Sequence, residues 1–425
     1  MATINKKGYS MTDLAGNKKV NKWSYVMAFI IIYLTDSLFF ATNGMREIIA
    51  VKRIGVVVIA GLMLLRAETI KKQKYDLIMF FLSCSVLASM ALARNVAQGY
   101  SYYTMVASLW FGYLYCREYS LEQFSHCYCN IMRIIAVVSL IGWLFASEII
   151  SIGAIPTITN TVGVRYKMLF FTCIPTSMSL IGRNMGPFWE PGAYQIYLNV
   201  ALFFSLFIQK NRFRILDCIL FIIACITTKS GAALAPIALL LAAYTFEKKH
   251  IKSFFAVFLL SVLIVVLFNT GMFNDITEKM AGDAETNSIT YRWIGIEGAI
   301  RGFLNNPLFG STPLKNEQIK QALAMKYLGQ RYASNTNTFL NYFAYYGILV
   351  GGFMLVRSYR LFRTNMKSFL AAVLAFSAYF ISTSNENMMA SLLIVTLTFL
   401  KSERMMQREE KTEELTYEGC PDKCN

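Results

Sequence analysis

Apolar runs long enough, or nearly long enough, to cross a bilayer recur through this sequence, and most are followed by a short cluster of Lys and Arg. A hydrocarbon core about 30 Å thick is crossed by roughly 20 predominantly apolar residues in a helix. The runs therefore predict an all-α, polytopic integral membrane protein. Twelve transmembrane helices are expected, at 23–40, 48–65, 77–93, 101–116, 131–150, 193–208, 215–227, 232–246, 254–268, 339–356, 369–381 and 388–400. Composition agrees: 56% of the residues are hydrophobic and 16% charged, a balance that soluble enzymes of this size do not normally reach.

The basic residues carry the topology. They cluster at Arg66/Lys71/Lys72/Lys74, Lys210/Arg212/Arg214, Lys248/Lys249/Lys252 and Arg357/Arg360/Arg363/Lys367, in alternate short loops. The positive-inside rule then puts both termini in the cytoplasm. The formal charge of +16 is spread between spans, so nucleic acid is not expected as a partner. Lys6, Lys7, Lys18, Lys19 and Lys22 before the first run imitate a signal peptide, but no small-x-small site follows Phe40; an uncleaved first helix is expected. The nine Cys lie mostly in spans or on the cytoplasmic side, where packing is a better account than disulfides or zinc.

The expected polytopic domain covers 1–408, with a cytoplasmic tail at 409–425. Two long loops face outward, at 151–192 and 269–338. The first ends in Arg183-Asn184-Met185-Gly186-Pro187-Phe188-Trp189-Glu190-Pro191-Gly192-Ala193-Tyr194, a cation, a carboxylate and aromatics on a backbone bent by Pro and Gly. The second contains a helix capped by Thr290, with Arg292 on one stripe with Gly295, Ala299 and Gly302, so that a ligand or another backbone can approach beside one guanidinium. A second helix at 317–328 places Ile319, Ala322, Leu323 and Tyr327 on one face. Both also fit helices lying on the membrane surface.

Only two His exist, His126 and His250, and both fall in cytoplasmic loops on this topology. An outward-facing zinc hydrolase or Ser-His-Asp site is thus not expected, nor is any metal or cofactor. No Walker-type Gly pattern supports an ATP-driven pump. The outer loops instead offer Arg165, Lys167, Arg183, Glu190, Lys229, Arg292, Arg301 and Arg331, beside Trp189 and Trp293. Arg grips phosphate in a bidentate way, aromatic faces suit sugar rings, and a carboxylate takes a proton from an attacking hydroxyl. For any single Arg, a snorkelling interfacial anchor is the alternative.

Three ordered stretches resemble the O-antigen polymerase and ligase superfamily, which includes the Wzy-type repeat-unit polymerases. They are Arg183-x-x-Gly186-x-Phe188-x-Glu190-Pro191, then Arg292-Trp293 through Asn306-Pro307-Leu308-Phe309-Gly310, then Asn337-Thr338-Phe339-Leu340 with Tyr346-Gly347-Ile348. Thr228-Lys229-Ser230-Gly231 is similar to a further motif. The resemblance covers about 131–356. It implies a GT-C-like, metal-independent glycosyltransferase at the outer face of the bacterial cytoplasmic membrane, acting on saccharides carried by undecaprenyl pyrophosphate. It would build O-antigen, capsular or exopolysaccharide, with membrane lipid, a flippase and a chain-length regulator as partners. By motif, Arg183, Glu190 and Arg292 are the expected catalytic residues. Glu190 is either the base or the group that holds Arg183. Lys229, Arg301, Asn337, Trp189 and Trp293 are expected to bind substrate. Two positions depart from the pattern: Thr336 stands where ligases have His, which disfavours ligation, and Gly231 stands where many members have Arg. The alternative from another class is a polytopic transporter, whose ionisable groups would be Asp36 and Asp217.

Overall fold

The computed structural model describes residues 22–41, 46–67, 74–93, 99–159, 164–176, 182–210, 213–248, 288–330 and 336–408. It is mostly helical. The helices are α1 (Lys22–Tyr33), α2 (Leu38–Ala41), α3 (Arg46–Ala67), α4 (Lys74–Ala93), α5 (Gly99–Glu118), α6 (Leu121–Leu144) and α7 (Ala146–Ser151). After a small sheet come α8 (Pro191–Phe203), α9 (Arg214–Thr227), α10 (Gly231–Lys248), α11 (Ser288–Asn305), α12 (Pro313–Leu328), α13 (Thr338–Asn365), α14 (Phe369–Thr383) and α15 (Leu392–Phe399).

Local chemistry sets several of these ends. Ser120 and Gln123 form a complete capping box for α6, each side chain bonding the other's backbone. Thr312 caps α12, Pro313 opens it and Gly329 closes it in the left-handed region. α8 ends in a π-helical turn, Phe204–Ile208. Where helices pack, small residues let their backbones approach. Ala371, Ala372, Ala375 and Ala378 of α14 are buried, as are Ala233 and Ala243 of its neighbour α10. The outward faces are apolar too, as at Leu77, Phe80 and Phe81 of α4 and Ile215, Leu216 and Ile219 of α9. A patch of that kind is costly in water and at home in lipid. Among the described residues three helices are long and apolar enough to cross a membrane: Leu121–Leu144, Pro191–Ile208 and Thr338–Asn365.

Four features differ from the expected layout. The first outer loop is not wholly irregular: β1 (Thr157–Thr159), β2 (Arg165–Leu169) and β3 (Thr172–Pro175) form an antiparallel sheet in the order β1-β2-β3. Thr, Tyr and Ile suit a half-buried pleat, and Tyr166 and Cys173 bury against Leu38 and Met185. The all-α expectation is corrected to that extent. Second, the expected span 339–356 is broken. Gly347 inside α13 has φ 73° and ψ −170°, and Phe343 packs on Gly351. Eight residues of straight helix rise about 12 Å, so that contact requires a sharp bend at Gly347.

Third, the expected span 388–400 shrinks to the eight residues of α15, all of them buried, preceded by an irregular stretch at 384–391. Fourth, α6 begins ten residues before the expected 131, so His126 lies in that helix and not in a loop. The expected span 254–268, His250 and Arg331 lie outside the described residues.

Both membrane-proximal Asp are already engaged. Asp217 of α9 takes a bidentate ion pair from Arg133 of α6, at 2.6 and 2.8 Å. Asp36 accepts hydrogen bonds from Thr35, Tyr197 and Ser391.

Candidate active site

Residues 182–190 are stitched in place from four sides. Asn184 donates to Thr227 Oγ1 (3.0 Å) and Ser139 Oγ (3.2 Å), while its backbone N–H reaches Thr227 O. Trp143 donates to Gly182 O, Cys173 N–H to Gly186 O, and Leu38 N–H to Pro187 O. Phe188 stacks on Tyr197 with centroids 4.2 Å apart. Short polar side chains and aromatics thus convert a Pro- and Gly-rich loop into a fixed platform. Arg183 leaves this platform with its Nε donating to Thr228 O (3.1 Å), which aims the rest of the guanidinium.

Glu190 is the N-cap residue of α8, with Pro191 at the first helical position, yet its carboxylate makes no capping hydrogen bond. It turns instead to Glu386, a residue of the 384–391 stretch. Glu386 is hydrogen-bonded to Glu190, and Arg292 and Arg183 both act on it electrostatically. The Glu386 carboxyl lies over the first turn of α8 against Gly192, where any Cβ would overlap it. Its backbone is held by the first residue of α13: Thr338 Oγ1 donates to Glu386 O (2.7 Å) and accepts from Met388 N–H (2.9 Å).

Two carboxyl groups in hydrogen-bond contact share a proton, because both cannot ionise side by side. Burial is the main force that raises Glu386 well above the usual carboxylate range, and the charge and hydrogen bond of Glu190 add to it; Arg292 and Arg183 pull the other way. Glu386 is thus the member that keeps the proton, while Glu190 is exposed. Burial also lowers the Arg292 pKa, opposed by Glu386. The site is an acid and a base between two cations.

Arg292 reaches it from α11, which starts at Ser288, so Thr290 lies inside the helix and is not its cap. The glycine stripe is occupied by protein. Gly295 faces the Thr336 hydroxyl, Gly298 the Lys320 side chain and Gly302 the Asn316 side chain, each too close for a Cβ. Its lack of side chains serves to seat α11 on α12 and α13. On α12 the buried residues are Asn316, Lys320, Leu323 and Ala324, while Ala322 and Tyr327 are exposed, so the expected face is rotated. Lys320 donates to Asn341 Oδ1 (3.2 Å), and burial pushes its ammonium down to about 8.

The 306–310 and 346–348 motifs, separate in sequence, form one joint. Ile348 N–H donates to Pro307 O and Ser311 N–H to Ala344 O. Gly310 and Gly347 both have positive φ, and a Cβ on either would strike the other strand of the joint.

The remaining expected residues fall into two groups. Lys229 stands beside Arg183, its Nζ 3.7 Å from where a Gly182 Cβ would lie. Lys229 and Asn337 are the described non-glycine residues with positive φ, at 47° and 75°, a conformation that costs of order 1–3 kcal/mol outside glycine and collects at functional sites. Asn337 also caps α13, accepting from Leu340 N–H. The contacts seen for Arg301, Trp189 and Trp293 are made elsewhere. Arg301 is spent on Glu297 one turn earlier on α11 (2.6 Å), and Lys167 on the carbonyls of Ile152 and Ile155. Trp189 packs against the small core under the sheet. Trp293 is 54% exposed, on a different face from the stripe.

Glu386 was missed by motif. Its signal was present: it is the one carboxylate of the short connector between the last two expected spans, which the basic-loop alternation places on the same side as Glu190 and Arg292.

Residues 215–356 match the family model described as O-antigen ligase. This region belongs to the O-antigen polymerase and ligase superfamily. The match takes in α9, α10 and α11, Arg292, the joint and Asn337; Arg183, Glu190 and Glu386 lie outside it and reach its residues through space. No curated protein matches the chain.

Proposed function

We propose that this protein is a polytopic glycosyltransferase that polymerises undecaprenyl-pyrophosphate-linked repeat units at the outer face of the cytoplasmic membrane. The observation that carries the reading is the Glu190–Glu386 carboxyl pair between Arg183 and Arg292, built around a domain of this superfamily. An acceptor sugar hydroxyl attacks the anomeric carbon of the donor chain. Its oxygen forms the new glycosidic bond while the bond from that carbon to the pyrophosphate oxygen breaks, its electron pair leaving with the pyrophosphate. Glu190, the exposed carboxyl of the pair, receives the hydroxyl proton. Arg292 and Arg183 stabilise the charge gathering on the leaving group, a role fixed cations fill without a metal. Glu386, holding its proton, keeps Glu190 in place without adding a negative charge of its own beside the pyrophosphate.

Ligation of finished polymer is the runner-up, and Thr336 argues against it. The carrier reading loses support because Asp36 and Asp217 are already paired within the bundle. The deciding test is gel and mass analysis of surface polysaccharide in a deletion strain carrying wild type or Arg292→Ala. Material one repeat unit long in both deletion and variant supports the polymerase. Accumulated unlinked polymer makes it a ligase, and unchanged polysaccharide refutes both. In vitro, transfer is expected to persist in a chelator; loss on metal removal alone would sink the Arg-based mechanism.

A further inference from the structure

Away from this site, α4, α5, α13, the last residue of α15 and Lys401 just after it line a cavity of about 400 Å³. It lies at the other end of α15: Glu386 comes just before that helix and Lys401 just after it, and its eight residues rise about 12 Å. The volume falls within the roughly 300–1,000 Å³ of small-molecule sites. Its walls are mainly apolar, with Phe353 and Phe399 prominent. Four cations line it, Arg117, Arg357, Arg360 and Lys401, and among the described residues no carboxylate does.

Basic residues beside helix ends are ordinary where a helix leaves a membrane. Three observations go further. The cations come from three separate segments and converge on one apolar hollow instead of fanning out. They are positioned: Leu121 N–H donates to the Lys401 carbonyl (2.9 Å), and the Arg117 guanidinium lies 5.7 Å from the Tyr113 centroid. Finally, Gly352 lines the hollow with nothing within 4 Å of where its Cβ would stand. Gly inside a helix costs up to about 1 kcal/mol relative to Ala, and no neighbour requires it there. The space is what the glycine provides. Ile78 and Val356, exposed, open the hollow sideways toward the bilayer.

We propose that this cavity is a binding site for an anionic phospholipid of the membrane. The phosphate is held among the four cations, and an acyl chain lies in the apolar hollow over Gly352. Arg suits phosphate by bidentate geometry, and an apolar wall beside it excludes water from the contact. On the positive-inside reading this end faces the cytoplasm, so the lipid comes from the inner leaflet. The site is separate from the proposed active site and does not depend on what reaction that site performs.

The test uses the full chain in nanodiscs containing phosphatidylglycerol and phosphatidylcholine in equal amounts, with retained lipid read by native mass spectrometry after mild release into detergent. Wild type is expected to retain one phosphatidylglycerol with at least a tenfold preference. Arg357→Gln with Arg360→Gln should abolish the preference, and Arg357→Lys with Arg360→Lys should restore much of it. Gly352→Phe should cut retention of both lipids several-fold with every charge intact, and thermal unfolding matched to wild type shows that each variant folds. Equal retention of the two lipids by wild type overturns the proposal, as does unchanged retention in a folded Gly352→Phe. Displacement of the lipid by millimolar inorganic phosphate alone would make this a free-phosphate site instead. A photo-crosslink from position 352 to the chain's own residues would make it a seat for another segment of this protein.

Discussion

Two groups of cations stand at opposite ends of α15. At one end Arg183 and Arg292 flank a pair of carboxyls; at the other Arg117, Arg357, Arg360 and Lys401 line an apolar hollow. The first arrangement contains an acid, a base and counter-charge, so it can move a proton while charge develops. The second, among its described lining residues, sets cations beside apolar walls with no carboxylate to act as a base, an arrangement suited to holding an anion. Count of positive charge does not separate them; what stands among the charges does.

The comparison breaks most visibly at Arg292. Arg292→Ala is expected to lower the transfer rate by about 10²–10³, the scale for removing one stabiliser of developing charge, whereas Arg357→Gln with Arg360→Gln should change it by less than about threefold in saturating donor and acceptor. A turnover assay on purified protein checks both; equal losses would mean that both groups serve the reaction.

Glu386 sharpens the contrast through pH. A carboxyl raised in the folded protein stays protonated where the unfolded chain, near 4.3, has already ionised. Its contribution therefore makes stability fall as pH rises from about 4.3 toward the folded value. Activity should fall over the upper part of the same rise, when Glu386 itself becomes negative beside Glu190. Glu386→Gln keeps a neutral donor toward Glu190, so it should retain most activity at neutral pH and lose the alkaline fall. Glu386→Ala should lose tenfold or more at every pH. Rate profiles of the three proteins decide it; a profile for Glu386→Gln that matches wild type would remove Glu386 from the proton inventory.

A smaller effect is expected at Thr336. Its hydroxyl faces Gly295 and Gly302 of the same stripe faces Asn316, so an imidazole must push α11 away. Thr336→His should destabilise the protein by about 1–3 kcal/mol, as overpacking does, without producing ligated polymer. Thermal unfolding and gel analysis test both halves. Least affected should be Arg301→Ala: an exposed ion pair with Glu297 contributes about 0–1 kcal/mol, and activity should stay within twofold.

The helices could be read from the sequence because lipid imposes one simple demand, a long apolar run. What the runs could not reveal is where a run is interrupted from outside. Nothing local to 339–356 announces the bend at Gly347, because its cause is the 306–310 strand lodged against it from forty residues upstream. The hydrophobicity of 388–400 likewise does not distinguish a spanning helix from a short one buried on all sides. The sheet was missed because strands of three to five residues carry little periodic signal.

In the candidate site, Arg183, Glu190 and Arg292 were legible as motif residues, and they do converge. Glu386 has no motif around it; its place as the one carboxylate of its connector was the only sequence signal, and Gly192 and Thr338 show where it sits. Arg301 and Trp293 show how little residue type alone says about position. Residue type suggested sugar and phosphate contacts; in the structure Arg301 pairs with Glu297, and Trp293 is exposed on a face other than the glycine stripe.

Mechanically, α11 is a lever. Its C-terminal end is fastened where 306–310 meets Gly347, and Arg292 sits about 15 residues away, roughly 22 Å along the axis. A tilt of only ~5° about that fulcrum would carry the guanidinium ~2 Å at this radius, a large fraction of a hydrogen bond's length. The close seats at Gly295, Gly298 and Gly302 are what brace such a bar against that tilt.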